Sequence, residues 1–160
     1  MDKVELEQLL KRHHRDAFLW AYQICNYNDD DGKEVLQMTY LKIAEGRAVF
    51  RDKSEFKTWL FSIIRNTAMD YLKKRVFFDD LDTIEEKFQE VEKIDTDPIN
   101  YRDLLQRLPN RQQQVLLLAF YHDMTLAQIA DVTNLHIGTV RTHYERGKIA
   151  VKALIINEKK

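Results

Sequence analysis

The sequence predicts an all-α protein of two small helical domains, the second built around a helix-turn-helix. Only four glycines and two prolines occur in 160 residues, so few positions oppose helix formation. Apolar residues recur at spacings of three and four through most of the chain, which is the period of one buried helix face. A strongly acidic stretch without that period lies in the middle, which favours two domains over one.

The part before the acidic stretch predicts three helices. The periodic apolar run from Val4 to Cys25 favours a long first helix that ends at the polar residues 26–32. A second helix is expected over about 34–44. Ser54 is expected to cap a third helix, whose apolar stripe packs against the first two.

The charge distribution supports a tether between two folded units. The overall net charge is −1, but residues 79–103 carry −7 while the parts before and after carry +2 and +4. Local charge on each folded unit governs binding to nucleic acid, so the near-neutral total does not argue against it. We expect a flexible acidic linker over 77–97, between a first domain at 1–76 and a second at 98–160.

The second domain contains the spacing of a DNA-binding helix-turn-helix. Thr125 and Gln128 form a capping box at the start of its first helix. Ala130 permits close packing of the two helices, and Asn134 tolerates the left-handed conformation that the turn requires. The second helix then presents cations and hydroxyls that suit DNA. A solvated face on an ordinary helix is the alternative for the cations, and His143 could be buried instead of contacting DNA.

Several classes of protein are disfavoured. The single cysteine, Cys25, excludes an internal disulfide and a Cys-based zinc site. We expect no cofactor, metal site or enzymatic activity, because no glycine-rich phosphate loop or nucleophile-base arrangement occurs. The charged N-terminus resembles neither a secretory signal nor a membrane span. These features favour a cytoplasmic protein without membrane insertion.

Two separated segments resemble the extracytoplasmic-function (ECF) group of bacterial sigma-70 family RNA polymerase sigma factors. In the first domain, the matching residues are Phe56, Trp59, Leu60, Ile63, Asn66 and Asp70. In the second domain, they are Leu108, Pro109, Val115, Ile129, Ala130, Gly138, Thr139, Val140 and Arg141. The chain departs from the family's usual residues at His136, where Ser or Thr is common, and at Gln113, where Arg is common. These departures imply a weaker helix cap and a weaker ion pair, and so weaker DNA contacts near those ends, with the fold unchanged.

The resemblance implies sigma domains 2 and 4, with core RNA polymerase, promoter DNA and an anti-sigma factor as partners. The implied core-polymerase surface consists of Glu34, Gln37, Tyr40 and Leu41. The implied minus-ten DNA surface consists of Phe50, Arg51, Lys53, Trp59, Arg65, Asn66, Lys73, Lys74 and Arg75. The implied minus-thirty-five DNA surface consists of Thr125, Thr139, Arg141, Thr142, His143, Arg146 and Lys148.

Alternatives remain open for some of these residues and for the whole chain. Trp59 could anchor the core, Leu36 and Leu41 could simply pack inside the domain, and a cluster of cations also suits the C-terminus of a helix. A dimeric helix-turn-helix repressor would bind duplex palindromes without polymerase. A helical adaptor for a protein partner would bind with little dependence on salt, whereas phosphate contacts weaken steeply as salt rises.

Overall fold

The computed structural model describes the backbone of residues 1–79 and 101–158 and the side chains of 1–75 and 101–157. Within these ranges every regular element is helical, so the predicted all-α fold is confirmed. The predicted linker lies outside the described residues from position 80 onward. Its first three residues belong to a helix that continues to Asp79.

The first domain is a bundle of three helices, α1 (Lys3–Ile24), α2 (Asp29–Ala44) and α3 (Phe56–Asp79). Helix α2 begins five residues before the predicted start, because the side chain of Asn28 caps it by accepting from the backbone N–H of Asp31. The bundle core includes Trp20 and Phe61, whose rings stack in parallel with centroids 5.8 Å apart. Helix α3 begins at Phe56, so the predicted cap at Ser54 is wrong by one residue; its hydroxyl donates to the Glu55 carbonyl instead.

A partly buried ion pair ties the start of α2 to the end of α3. The Asp31 carboxylate pairs with Arg75 and accepts a hydrogen bond of 2.9 Å from the Tyr71 hydroxyl. Removing one partner of such a pair destabilises the protein by more than the intact pair stabilises it, because the other charge is left unpaired in a poorly solvated site. Arg75 therefore has a structural role, which its place in a basic cluster did not indicate.

The second domain contains four helices and a π-helical turn. They are α4 (Tyr101–Gln106), α5 (Asn110–Leu116), the π turn (Leu117–Tyr121), α6 (Leu126–Thr133) and α7 (Ile137–Glu158). The predicted capping box is present, with reciprocal hydrogen bonds between Thr125 and Gln128. Asn134 adopts the predicted left-handed conformation, with φ of 56°. A Cβ at Gly147 would lie 2.9 Å from the Leu116 side chain, so this glycine lets α7 approach α5 closely.

The two domains pack directly against each other. Helix α6 lies on α3, and most of the buried apolar residues of the two domains form one continuous cluster. Polar contacts reinforce the boundary, including a hydrogen bond of 2.8 Å from Arg65 to Gln114. The two predicted domains are therefore in contact in this conformation. Sequence periodicity identifies the buried face of each helix but not its partner, so it could not predict this packing.

Candidate functional site

An apolar groove between α1 and α2 contains most of the predicted core-polymerase surface. Its lining residues are His14, Phe18, Lys33, Leu36, Gln37, Tyr40, Leu41 and Ala44. Leu41 is 50% exposed, whereas Leu36 is 5% exposed and packs in the core. The Tyr40 hydroxyl lies 2.9 Å from Nδ1 of His14, and burial raises the pKa of Tyr40 to about 12. Glu34 is exposed but does not line the groove.

Aromatic rings gather where the α2–α3 connector meets α3. The rings of Phe50, Phe56 and Trp59 form a triangle, with centroids 5.3 to 5.4 Å apart. Phe50 and Trp59 are both half-buried, so each retains an accessible part on which a base could stack. The cations Arg51 and Lys53 are exposed beside this cluster. Trp59 thus anchors the core and also contributes to this surface.

Helix α3 presents the remaining predicted minus-ten residues in different environments. Asn66, Lys73 and Lys74 are exposed, and no hydrogen bond engages the Asn66 side chain among the residues that the structure describes. Arg65 instead lies at the domain boundary, where burial and the nearby charge of Arg111 lower its pKa. Arg75 is held by Asp31. Asn66, Lys73 and Lys74 are therefore accessible. In contrast, Arg65 and Arg75 already bind other side chains of the protein.

The second helix of the helix-turn-helix, α7, presents a polar face. Thr139, Arg141, Thr142 and Arg146 are exposed, although the Thr142 hydroxyl also donates to the Gly138 carbonyl at 3.0 Å. This face combines charged and hydroxyl groups with the dimensions of an α-helix, which the major groove of DNA admits. The structure thus brings together most of the predicted minus-thirty-five residues.

The other three predicted residues, Thr125, His143 and Lys148, are partly buried or make contacts within the protein. His143 is half-buried, and its Nδ1 atom is buried without a hydrogen bond among the described residues. Lys148 lies with its Nζ atom 4.4 Å from the centre of the Tyr144 ring and 3.6 Å from Glu145. Thr125 caps α6. Among the described residues, Arg141 and Arg146 are therefore the cations of this face that make no hydrogen bond or ion pair.

The two departures from the usual family residues are compensated locally. Nδ1 of His136 accepts from the backbone N–H of Gly138 at 3.2 Å, so the ring caps the start of α7. The Gln113 amide donates to the Leu108 carbonyl at 2.6 Å and fastens the turn between α4 and α5. Each residue thus has a local hydrogen-bond partner, although the neutral Gln113 forms no ion pair.

Sequence reasoning missed a second apolar groove, formed by α4, the π turn and α7. Leu105, Leu116, Leu117, Val151 and Ile155 form its floor together with the exposed rings of Tyr101, Phe120 and Tyr121. The signal in the sequence was an α7 pattern that places apolar residues on more than one side of the helix. An exposed apolar surface of this kind typically marks an interaction site.

Across 1–79 and 101–158, no group of histidine, cysteine or acidic side chains is arranged to hold a metal ion. No helix in the same ranges is long and apolar enough to cross a membrane.

Comparison with known proteins identifies both domains. Residues 9–77 match the family model of sigma-70 region 2, and residues 99–151 match that of sigma-70 region 4. The RNA polymerase sigma factor SigV of Bacillus subtilis is 28% identical over 90% of this chain and 87% of its own length. The ECF RNA polymerase sigma factor SigM of Mycobacterium tuberculosis is 23% identical over 96% of this chain and 79% of its own.

Solved structures share the fold. The sigma factor RpoE of Bartonella quintana, solved in complex with the anti-sigma factor NepR, superposes with a TM-score of 0.76 at 21% identity, over 94% of this chain and 96% of that one. CnrH, solved with the cytosolic domain of CnrY, has a TM-score of 0.68 at 20% identity, over 98% of this chain and 90% of that one.

The two helical domains, with their polar helix-turn-helix face, define a promoter-recognition factor of the sigma-70 class. The chain belongs to the ECF group of RNA polymerase sigma factors. It binds core RNA polymerase and promoter DNA and directs promoter-specific initiation of transcription. Sigma factors are initiation factors and are not enzymes.

Proposed function

We propose that the first domain, about residues 1–76, binds core polymerase and reads the melted minus-ten strand. The second domain, about 98–160, binds the minus-thirty-five duplex. The observation that carries this division is the placement of an aromatic cluster beside cations in the first domain and of a polar α7 face in the second. Stacking rings suit unpaired bases, whereas a polar helix suits the major groove.

The groove between α1 and α2 is the proposed docking site for core polymerase. The groove has an apolar lining that includes Leu41, and Tyr40 and Gln37 add polar groups to it. This mixture is typical of a protein-binding hot spot. Glu34 lies outside the groove and would contribute charge at its rim. A helix of the polymerase would fit because the groove runs between two helices.

The minus-ten strand would engage three features of the first domain. Phe50 and Trp59 offer ring surface for a base, and Arg51 and Lys53 would hold the adjacent phosphates. The Asn66 amide supplies both an N–H donor group and a carbonyl acceptor for a base edge. Lys73 and Lys74 would follow the backbone of the neighbouring duplex.

Reading both elements requires the domains to separate. The minus-ten and minus-thirty-five elements lie about 25 base pairs apart, which is about 85 Å of B-form DNA. The longest described helix, α3, has 24 residues, which corresponds to about 36 Å. Domains in direct contact cannot reach both elements. The 21 residues from 80 to 100 can span at most about 75 Å, and together with the domains themselves this suffices.

An anti-sigma factor is the proposed regulator. RpoE, which shares this fold, was solved with the anti-sigma factor NepR, and CnrH with the cytosolic domain of CnrY. The apolar groove of the second domain, with Phe120 63% exposed and Tyr121 56% exposed, supplies a surface that such a partner could cover. The protein itself would act without enzymatic activity, in the cytoplasm where polymerase and DNA are present.

We expect Asn66→Ala to lower strand opening while leaving binding to core polymerase unchanged. The Asn66 side chain is exposed and unengaged, and alanine favours helix, so the variant should be at least as stable as the parent. Permanganate footprinting of promoter complexes measures the opening, and titration with core polymerase measures the binding. A parallel loss of both would assign Asn66 a folding role instead.

We expect Arg141→Ala to weaken use of the minus-thirty-five element by about 5- to 150-fold, the value of one good base contact. The measurement is initiation by the reconstituted holoenzyme on paired promoters that differ only in having an intact or scrambled minus-thirty-five motif. The variant should lose activity on the intact promoter and differ little from the parent on the scrambled one. An equal loss on both would show that Arg141 does not read this element.

A further inference from the structure

His122 is a side chain of the second domain that lies inside the first. It follows the π turn directly and is 4% exposed. Its ring meets Trp20 edge-on at 5.8 Å and Phe61 edge-on at 4.9 Å. Its Nε2 atom lies 2.7 Å from Oε1 of Gln23. These three partners belong to the core of the first domain, so His122 is a plug between the two domains.

The backbone around His122 is specialised for this placement. Helix α5 widens into the π turn, and the N–H of His122 still donates to the Leu117 carbonyl at 3.1 Å. Asp123 then takes a positive φ of 58°, which reverses the chain toward α6. π-Helical segments and left-handed non-glycine residues are uncommon and concentrate at functional positions. The backbone thus departs from regular α-helix at the residues next to His122, whose ring packs into the first domain.

Polar contacts on both sides of the plug join the same two domains. Lys57 donates to the His122 carbonyl at 3.4 Å. The Gln128 amide lies 3.3 Å from the Glu55 carboxylate, and Arg65 donates to Gln114. Each contact is a single polar interaction, which contributes little to stability by itself. His122 is the most deeply buried side chain among these described polar contacts, and it adds to the apolar packing of α6 on α3.

We propose that this conformation is a self-closed resting form of the sigma factor, in which His122 is the latch that holds the second domain on the first. Closure occupies Arg65 and keeps the two DNA-reading surfaces too near each other for one promoter. Core polymerase and DNA would therefore have to open the latch. The idea adds a regulatory step to the proposed function, and its test uses neither polymerase nor DNA, so the two can fail separately.

The latch should weaken in acid. Burial, together with the positive charge of Lys57 on α3, lowers the pKa of His122 to about 4, and Asp16 on α1 opposes this shift. The closed form thus holds the neutral ring, and its stabilisation is complete above the ordinary imidazole pKa of about 6.5 and is lost as the pH falls toward 4. The closure equilibrium should fall by about tenfold between pH 7.5 and 5.5. Burial and the charge of Lys57 also lower the pKa of His13 on α1.

The experiment measures how often the domains separate. A Gln114→Cys substitution places a thiol at the boundary, where residue 114 is buried, so its labelling rate reports the open fraction even when that fraction is small. The rate is normalised to an exposed Asn157→Cys thiol at each pH. Native Cys25 should react slowly, since burial raises its pKa to about 12.

We expect the normalised rate to rise about tenfold from pH 7.5 to 5.5. Adding His122→Asn, which cannot titrate, should abolish most of this rise, whereas His136→Asn, at an exposed histidine of the second domain, should leave it intact. His122→Ala should raise the rate at pH 7.5, with thermal melting confirming that both domains remain folded. Equal pH dependence with and without His122, or no faster labelling in a folded His122→Ala variant, would overturn the proposal.

Discussion

A short cross-link between the domains is expected to reduce promoter-dependent initiation to the background of core polymerase alone. The link would join cysteines at positions 55 and 128, whose native side chains lie 3.3 Å apart across the boundary. Two elements about 85 Å apart cannot be reached by domains held in contact. Tethered binding is lost entirely when geometry forbids simultaneous engagement.

The measurement is a run-off assay with a cleavable bifunctional thiol reagent. Cleavage of the reagent should restore initiation, which excludes damage to the protein. A matched control links cysteines at positions 3 and 7, which are exposed on the same face of α1, and should leave initiation unchanged. Full activity of the 55–128 linked protein would refute the requirement for separation.

Charge placed in the groove of the first domain is expected to weaken binding to core polymerase by about 30-fold or more, the value of a protein-interface hot spot. The substitution is Leu41→Asp, because this leucine lines the groove and is 50% exposed. Its exposure means that the domain should fold without it, while an unpaired carboxylate in an apolar contact is costly.

Affinity is measured by fluorescence titration of labelled sigma factor with sigma-free core polymerase. The control is Ile149→Asp, which replaces an even more exposed aliphatic residue on α7 that lines neither apolar groove. This control should bind core polymerase as the parent does. Equal weakening in both variants would indicate a general effect of charge, and normal binding by Leu41→Asp would remove the groove from the polymerase interface.

Local chemistry in the sequence predicted much of the fold. The Thr125–Gln128 capping box and the left-handed Asn134 are determined within a few residues, so both could be recognised without a structure. The start of α2 was misplaced because three consecutive aspartates resemble a turn, yet acidic residues also suit the first turn of a helix that Asn28 caps.

Features that depend on distant contacts could not be predicted. His122 has no suggestive neighbours in sequence, and its partners Trp20, Gln23 and Phe61 are at least 61 positions away. Arg75 adjoins two exposed lysines in sequence, but only the fold brings it to Asp31. Residue types and their spacing thus predicted the candidate binding surfaces. Only the fold showed which charged side chains of those surfaces are already paired within the protein.

The most direct test of the two-domain account is in-vitro transcription with sigma-free core polymerase across a promoter library in which the spacer between two upstream elements varies. We predict start sites that share two motifs at one preferred spacing, with little initiation when the spacer is changed by half a helical turn. Recovered starts that depend on a single motif, or on no motif, would contradict the account.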